Sequence, residues 1–370
     1  MAPRTREELL SYGIPDPALL AEIERNPVRD PQPSDPYYGK NTHGARRAHR
    51  ATTLREKHHL RYIPGPIPNE VAEEDRQIRV RGGAEIRVRI YTPVASGQIR
   101  TTHGDDAVKR PLFVMYHEGG WSMGDLTDEE VNCRLFSRDL GAVCVNVEYR
   151  LAPEYPFPTW INDAWDALKW AADNASSLGA DPSAGFIVGG GSAGGNIAAV
   201  LAHLARDEGL SPPLTGQYLC VPAITCFLPP GDLPEAYRAE YLSHPSVTPS
   251  ADPILRHVDV DAMFRTLRAD PQSELMAPFH YGRRSDGRGH ADLPPAYFQV
   301  CGLDPLRDEA LIYERILREE VGIPTKLDLY KGFGHYFWTN FPLLEQSRVF
   351  VEDTVKGAKW LLEQAASKRG

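Results

Sequence analysis

The sequence has few of the features that mark several large classes of protein. No apolar run approaches the roughly 18 residues that cross a membrane, and the first residues lack the apolar segment of a signal peptide. Acidic residues outnumber basic ones, 50 to 41, so the formal net charge is −9. Because nucleic-acid-binding surfaces are usually basic, that class is not expected. We expect a cytoplasmic protein with no membrane span.

Cysteine is also sparse. The five cysteines form no CxxC pair and no spacing typical of a zinc site. We therefore expect buried, reduced thiols and no metal. Hydrophobic residues make up 42% of the chain and charged residues 25%, which is ordinary for a globular domain with a sizeable core.

The first part of the chain differs in pattern from the rest. Residues 5–25 predict one or two short helices, whereas residues 26–70 are rich in Pro, Arg and His and show no steady period. We interpret residues 1–70 as an N-terminal cap segment, of which 26–70 are expected to hold few regular elements. Residues 71–370 are expected to form one catalytic domain, which a Pro-rich insertion at about 228–275 interrupts.

Alternating and continuous apolar runs predict the strands of that domain. Alternation with a period of two predicts a half-buried hairpin, and continuous short runs predict strands buried on both faces. The hairpin strands are 76–80 and 86–91, and the buried runs are 112–116, 142–147, 186–188, 218–221 and 297–301. Helical patterns separate the buried runs, at 128–140, 159–178, 193–207, 307–320 and 344–366. This alternation predicts an α/β fold with a mainly parallel sheet between helices.

A glycine-rich turn joins the run 186–188 to the next helix. Residues 189–196 read GGGSAGGN and contain GxSxG, which places a serine on a tight strand-to-helix turn. A phosphate-binding loop would need a lysine after its last glycine, but Asn196 follows Gly195. A loose GxGxxG match lacks the acid that binds ribose. We therefore interpret Ser192 as a nucleophile.

A nucleophilic serine needs a base, and the base needs a carboxylate that orients it. In strand–turn–helix sites of this kind, the acid and then the histidine follow the serine along the chain. Asp304 follows the strand 297–301, and His335 lies on a glycine-bearing loop after the alternating stretch 326–330. Asp308 is the alternative acid.

Backbone donors for an oxyanion are expected from two places. One is Ala193, directly after the nucleophile, and the others are Gly119 and Gly120, after the strand 112–116. An ordinary tight turn is the alternative for the two glycines. Three aromatic residues lie beside these motifs and are expected either to line a substrate pocket or to belong to the core: Trp121, Phe337 and Trp338.

Four stretches resemble the hormone-sensitive lipase-like carboxylesterases. They are HEGGW at 117–121, YRLAPE at 149–154, SAGGN at 192–196 and DPLRDE at 304–309. The resemblance covers roughly residues 75–365. It implies an α/β-hydrolase sheet of about eight strands, a helical cap built from the N-terminal segment and the insertion, and neither metal nor organic cofactor.

Two positions depart from that family's pattern. Glu118 stands where the first glycine of HGGG is usual, and Gly191 replaces the usual acid before the serine. Glu118 could disturb the loop and add negative charge near the oxyanion, or it could point away into a hydrogen-bond network. Gly191 could loosen the turn or enlarge the pocket.

We predict a serine carboxylester hydrolase that acts on small to medium, mostly apolar esters, with an acylated natural product as one option. Acyl transfer, lactone cleavage or amide cleavage on the same residues is one alternative. A non-catalytic, ligand-binding relative is another. The expected partner is a small-molecule ester and not nucleic acid, and a homodimer is left open.

Overall fold

An eight-stranded sheet forms the centre of the computed structural model, which describes residues 4–28, 43–94, 109–256, 264 and 267–367. The strands in chain order are β1 Val71–Arg79, β2 Glu85–Pro93, β3 Leu112–Tyr116, β4 Val143–Glu148, β5 Phe186–Gly191, β6 Gly216–Cys220, β7 Ala296–Cys301 and β8 Thr325–Tyr330.

Three helices precede β1, and further helices follow most of the strands. In chain order the helices are α1 Arg6–Tyr12, α2 Pro17–Arg25, α3 His43–Lys57, α4 Glu130–Leu140, α5 Thr159–Asn174, α6 Ala193–Asp207, α7 Glu235–Arg238, α8 Arg307–Arg315, α9 Phe337–Asn340 and α10 Glu345–Ser367. A π-helical turn, Ile316–Val321, extends α8. The predicted α/β class is thereby confirmed.

The strand order is β1-β2-β4-β3-β5-β6-β7-β8. β2 pairs antiparallel with β1 and with β4, and the remaining pairs are parallel. The parallel strands β3, β5, β6 and β7 are buried along their whole length, as their continuous apolar runs predict. Their carboxyl ends meet at one edge of the sheet, where α/β proteins place their sites.

Side chains that alternate along each strand divide the core into two layers. Val114 of β3 belongs to the layer beneath α5, α6 and α8. Its neighbours Phe113 and Met115 belong to the opposite layer, beneath α4 and α10. All five cysteines are buried and free, as expected. No helix in the described part of the chain is long and apolar enough to cross a membrane.

The expectation of few regular elements in residues 26–70 is wrong, because α3 occupies His43–Lys57. The periodic signal is missing because α3 carries charged and polar side chains and is held by arginine contacts instead of an apolar stripe. Residues 29–42 lie outside the described residues, as do 257–263 and 265–266 of the predicted insertion. In the described remainder of 228–275, the regular elements include α7 and the short turn Pro230–Asp232, and Phe264 and Leu267 are helical.

Candidate active site

Ser192 lies between the end of β5 and the start of α6. Its backbone has φ 53° and ψ −113°, a region that side-chain-bearing residues adopt only when the surroundings impose it. The glycines on either side of Ser192 allow the backbone of the turn to approach the end of β3 closely. A Cβ on Gly190 would lie 2.2 Å from the Tyr116 carbonyl oxygen, and one on Gly194 would lie 1.9 Å from the same atom. The GxSxG spacing is therefore a steric requirement of the turn.

His335 lies between Ser192 and Asp304. The Ser192 hydroxyl is 3.1 Å from His335 Nε2, and His335 Nδ1 is 2.7 Å from Asp304 Oδ2. The other Asp304 oxygen accepts the Leu306 amide at 2.8 Å. An Nδ1–H that donates to Asp304 leaves Nε2 free to accept the serine proton. This arrangement is suited to activating a hydroxyl nucleophile.

Asp308, the alternative acid, has other partners. Its carboxylate pairs with Arg307 at 2.6 Å and accepts the amides of Leu242 and Ser243. The structure therefore places Asp304, and not Asp308, against His335.

A further carboxylate reaches His335 from the predicted insertion. Asp252 Oδ2 accepts the His335 backbone N–H at 2.5 Å, and its Oδ1 accepts the amides of Ile254 and Leu255. Burial, together with the charge of Asp304, raises the pKa of Asp252 to about 7. Sequence reasoning missed this residue. Its only local signal is a turn in which the aspartate caps nearby amides.

The net effect of these neighbours on His335 is to raise its pKa above the ordinary value. Burial by itself lowers the pKa because it disfavours the imidazolium. The carboxylates of Asp304 and Asp252 more than offset that effect. The surroundings therefore favour the charged form of His335.

The loop after β3 begins beside the Ser192 turn, since a Cβ on Gly194 would lie 2.9 Å from the His117 carbonyl oxygen. Gly119 and Gly120 have φ of 110° and 58°, and a Cβ on Gly119 would lie 2.3 Å from the Met123 carbonyl oxygen. Among the described residues, the N–H groups of Gly119, Gly120 and Ala193 donate no hydrogen bond to another protein group. They remain available to a ligand oxygen.

Glu118 points away from these amides and into an ionic network. Its Oε1 lies 2.5 Å from Arg50 of α3, which also binds Asp128 at 2.9 Å. Burial raises the pKa of Glu118, and the charge of Arg50 opposes that change. Of the two alternatives for Glu118, the structure shows the network.

Gly191 leaves room for a tyrosine hydroxyl. A Cβ at Gly191 would lie 1.7 Å from Tyr336 Oη, and Tyr336, directly after His335, has φ of 54°. The space that a side chain before the serine would fill is thus occupied by Tyr336, so the glycine does not enlarge a pocket at this point.

The three aromatic residues have different surroundings. Trp121 is 1% exposed and packs against Trp160 and Phe264. Phe337 is fully buried in the core layer beneath α4 and α10. Trp338 stacks on Phe350, with ring centroids 3.6 Å apart, and lines a small cavity. The other walls of that cavity include Arg61, Glu118, Glu129, Cys220 and Tyr336, and neither Ser192 nor His335 is among its lining residues.

Within the described ranges, no three His, Cys, Asp or Glu side chains are arranged to hold a metal ion. The predicted lack of a metal or cofactor stays a prediction.

Comparison with known proteins gives a consistent set of relatives. The family described as alpha/beta hydrolase fold matches residues 113–339. Versiconal hemiacetal acetate esterase of Dothistroma septosporum is 36% identical over 76% of this chain and 87% of its own length. Carboxylesterase NlhH of Mycobacterium tuberculosis is 37% identical over 77% and 81%. The crystal structure of vibralactone cyclase superposes with a TM-score of 0.81 at 31% identity, over 96% of this chain and 97% of its own.

Proposed function

The chain belongs to the alpha/beta hydrolase family, in its hormone-sensitive lipase-like branch, and we propose how it works as a serine carboxylester hydrolase. Its relatives include carboxylesterases, and the chain is a carboxylic ester hydrolase. The observation that carries the proposed mechanism is the hydrogen-bonded series of Ser192, His335 and Asp304.

In the first half of the reaction, His335 Nε2 takes the proton of Ser192 as its oxygen attacks the ester carbonyl. The amides of Gly119, Gly120 and Ala193 donate to the oxyanion that forms, an interaction worth about 3 kcal/mol per donor. When the tetrahedral intermediate collapses, His335 gives its proton to the leaving alcohol and an acyl group remains on Ser192.

In the second half, His335 takes a proton from water, which attacks the acyl-serine carbonyl. Collapse of the second intermediate releases the carboxylic acid and returns the proton to Ser192. Throughout, Asp304 holds the Nδ1–H of His335 and stabilises the imidazolium without taking its proton.

The proposed substrates are small to medium, mostly apolar esters. The likeness to an esterase named for a hemiacetal acetate supports a short acyl group on a larger alcohol. Trp338 lines a cavity beside Tyr336, but Ser192 and His335 do not line it, so a role of Trp338 in substrate binding stays a prediction. Trp121 and Phe337 pack against other aromatic rings, which supports a structural role for both residues in the core around the site.

The cap is proposed to comprise residues 1–70 and the insertion at about 228–275. Two contacts with the site support this division. Arg50 of α3 binds Glu118 beside the oxyanion glycines, and Asp252 of the insertion binds His335. A cytoplasmic location is also proposed, supported by the five free thiols.

The likeness to vibralactone cyclase favours a second candidate on the same residues. One such candidate for this chain is lactone formation, in which a hydroxyl of the acyl group, instead of water, attacks the acyl-serine carbonyl. Incubation with a hydroxy-acyl ester distinguishes the two, since hydrolysis gives the hydroxy acid and cyclisation gives the lactone.

The direct test of ester hydrolysis uses p-nitrophenyl esters from acetate to decanoate, with the wild type and Ser192→Ala. We expect turnover that is highest for short acyl groups and is abolished by the substitution. Folded wild-type protein that hydrolyses no ester in the series, or a Ser192→Ala variant that keeps the activity, would contradict the proposal.

A further inference from the structure

Helix α3 of the N-terminal segment contacts the oxyanion loop, residues 117–124, through two arginines. Arg47 donates from Nε to the Ser122 carbonyl oxygen at 2.7 Å. Arg50 binds Glu118 and Asp128. Residues three apart lie on the same face of a helix, so both guanidinium groups reach the loop from one side. The loop therefore has an anchor that lies 68 residues away in sequence.

Arg50 offsets the negative charge of a group of buried carboxylates. The side chains of Glu118 and Asp128 are only 9% and 1% exposed, and Glu129 is buried beside them. The second Glu118 oxygen is buried and has no hydrogen-bond partner among the described residues. A buried carboxylate that loses its cation must either relocate or take up a proton, because desolvation of an unpaired charge is costly. A relocation that shifts the Glu118 backbone would reach the neighbouring residues of the loop.

That backbone is directly joined to the proposed donors. Glu118 precedes Gly119, and its carbonyl oxygen accepts the His117 Nδ1 proton at 2.7 Å. The Gly119 carbonyl oxygen accepts the Met123 amide at 2.9 Å. The loop is thus tightly folded, so a shift of the Glu118 backbone would turn the adjoining amides of Gly119 and Gly120. Oxyanion donors act through pre-set geometry, so a small shift has a large effect on rate.

We propose that Arg50 is a positioning residue, which holds Glu118 and thereby keeps the amides of Gly119 and Gly120 aimed at the oxyanion. This inference rests on the proposed esterase function. The glycine that is usual in the family at position 118 needs no such partner. In this chain the buried carboxylate of Glu118 needs a cation, and Arg50 of α3 supplies it.

The test measures kcat and KM on p-nitrophenyl acetate for the wild type, Arg50→Gln, Glu118→Gly and the double variant. Each is normalised to the active serines counted by complete reaction with a fluorophosphonate, which removes any contribution from unfolded protein. Arg50→Gln should lower kcat about 10- to 100-fold, less than complete loss of an oxyanion donor, with KM changed less than about threefold. The double variant should return to within about threefold of Glu118→Gly, since the Glu118 carboxylate is gone and only Asp128 is left without Arg50.

Two further variants complete the design. Arg50→Lys retains the cation and should keep most of the activity, which also covers the case in which Arg50→Gln does not fold. Arg81→Gln breaks a more exposed arginine–carboxylate pair, with Asp166 at 2.8 Å, on the hairpin side of the sheet, and should leave kcat unchanged. An unchanged kcat in Arg50→Gln, or a double variant no better than Arg50→Gln, would overturn the inference. A wild type without esterase activity would instead refute the proposed function.

Discussion

The steric relation between Gly191 and Tyr336 gives the sharpest test of the site's architecture. In Gly191→Ala the new Cβ would lie 1.7 Å from Tyr336 Oη. Because unstrained contacts of this kind require about 3.5 Å, the hydroxyl would have to retreat by roughly 1.8 Å. Tyr336 follows His335 directly and has φ of 54°, so its displacement moves the histidine relative to Ser192. Misplacement of about 1 Å can cost about 100-fold in rate.

We therefore expect Gly191→Ala to lower kcat on p-nitrophenyl acetate by about 100-fold or more, and to lower stability by about 1–3 kcal/mol as an overpacked core does. Kinetics per fluorophosphonate-titrated serine separate the two effects. Adding Tyr336→Ala should restore a large part of kcat, because the obstructing ring is removed. A Gly191→Ala variant within threefold of the wild type would refute the reasoning.

Two further predictions concern buried carboxylates. Asp252→Asn removes a negative charge that raises the pKa of His335, so the pKa of His335 should fall in the variant. Because activity needs neutral His335, the acid limb of the kcat/KM profile should move to lower pH. We also expect kcat to fall. An acid limb that stays in place would contradict this role. The pKa of Glu129 is raised from 4.5 to about 8, chiefly by burial. Its folded pKa exceeds its unfolded value, so the wild type should lose stability as pH rises from 4.5 to 8. The unfolding free energy of Glu129→Gln, measured by denaturant titration, should therefore rise relative to that of the wild type between pH 4.5 and 8. A difference between the two proteins that stays constant over this range would exclude the raised pKa of Glu129.

The sheet could be predicted from sequence because its signals are local. Buried parallel strands are continuous apolar runs, and the helices between them carry an apolar stripe, so each element could be recognised from its own residues. The hairpin of β1 and β2 could also be predicted, since alternating apolar and polar residues flank Gly82-Gly83. In the structure Ile78 and Ile86, on either side of that turn, are paired.

The residues that structure adds to the site have no local signal. Arg50 and Glu118 are 68 residues apart, and Asp252 and His335 are 83 apart. Helix α3 was missed for a related reason, because ion pairs and hydrogen bonds to the loop hold it in place of a periodic apolar face. The choice between the two alternatives for Glu118 depended on that helix, so it could not be made from the motif alone.

The same limit applies to Gly191. The sequence shows a missing side chain, which is compatible with a looser turn or a larger pocket. Only the packing of Tyr336 against it shows that the space is filled.

The central claim is that Ser192 is a nucleophile activated by His335 and Asp304. The most direct measurement is the rate and position of labelling by a fluorophosphonate, with peptide mapping, in the wild type, Ser192→Ala and Asp304→Asn. We expect one label per chain on Ser192, none in Ser192→Ala, and labelling slowed by several orders of magnitude in Asp304→Asn, since a misoriented histidine cannot accept the serine proton. Folded wild-type protein that takes up no label, or takes it up on another residue, would contradict the claim.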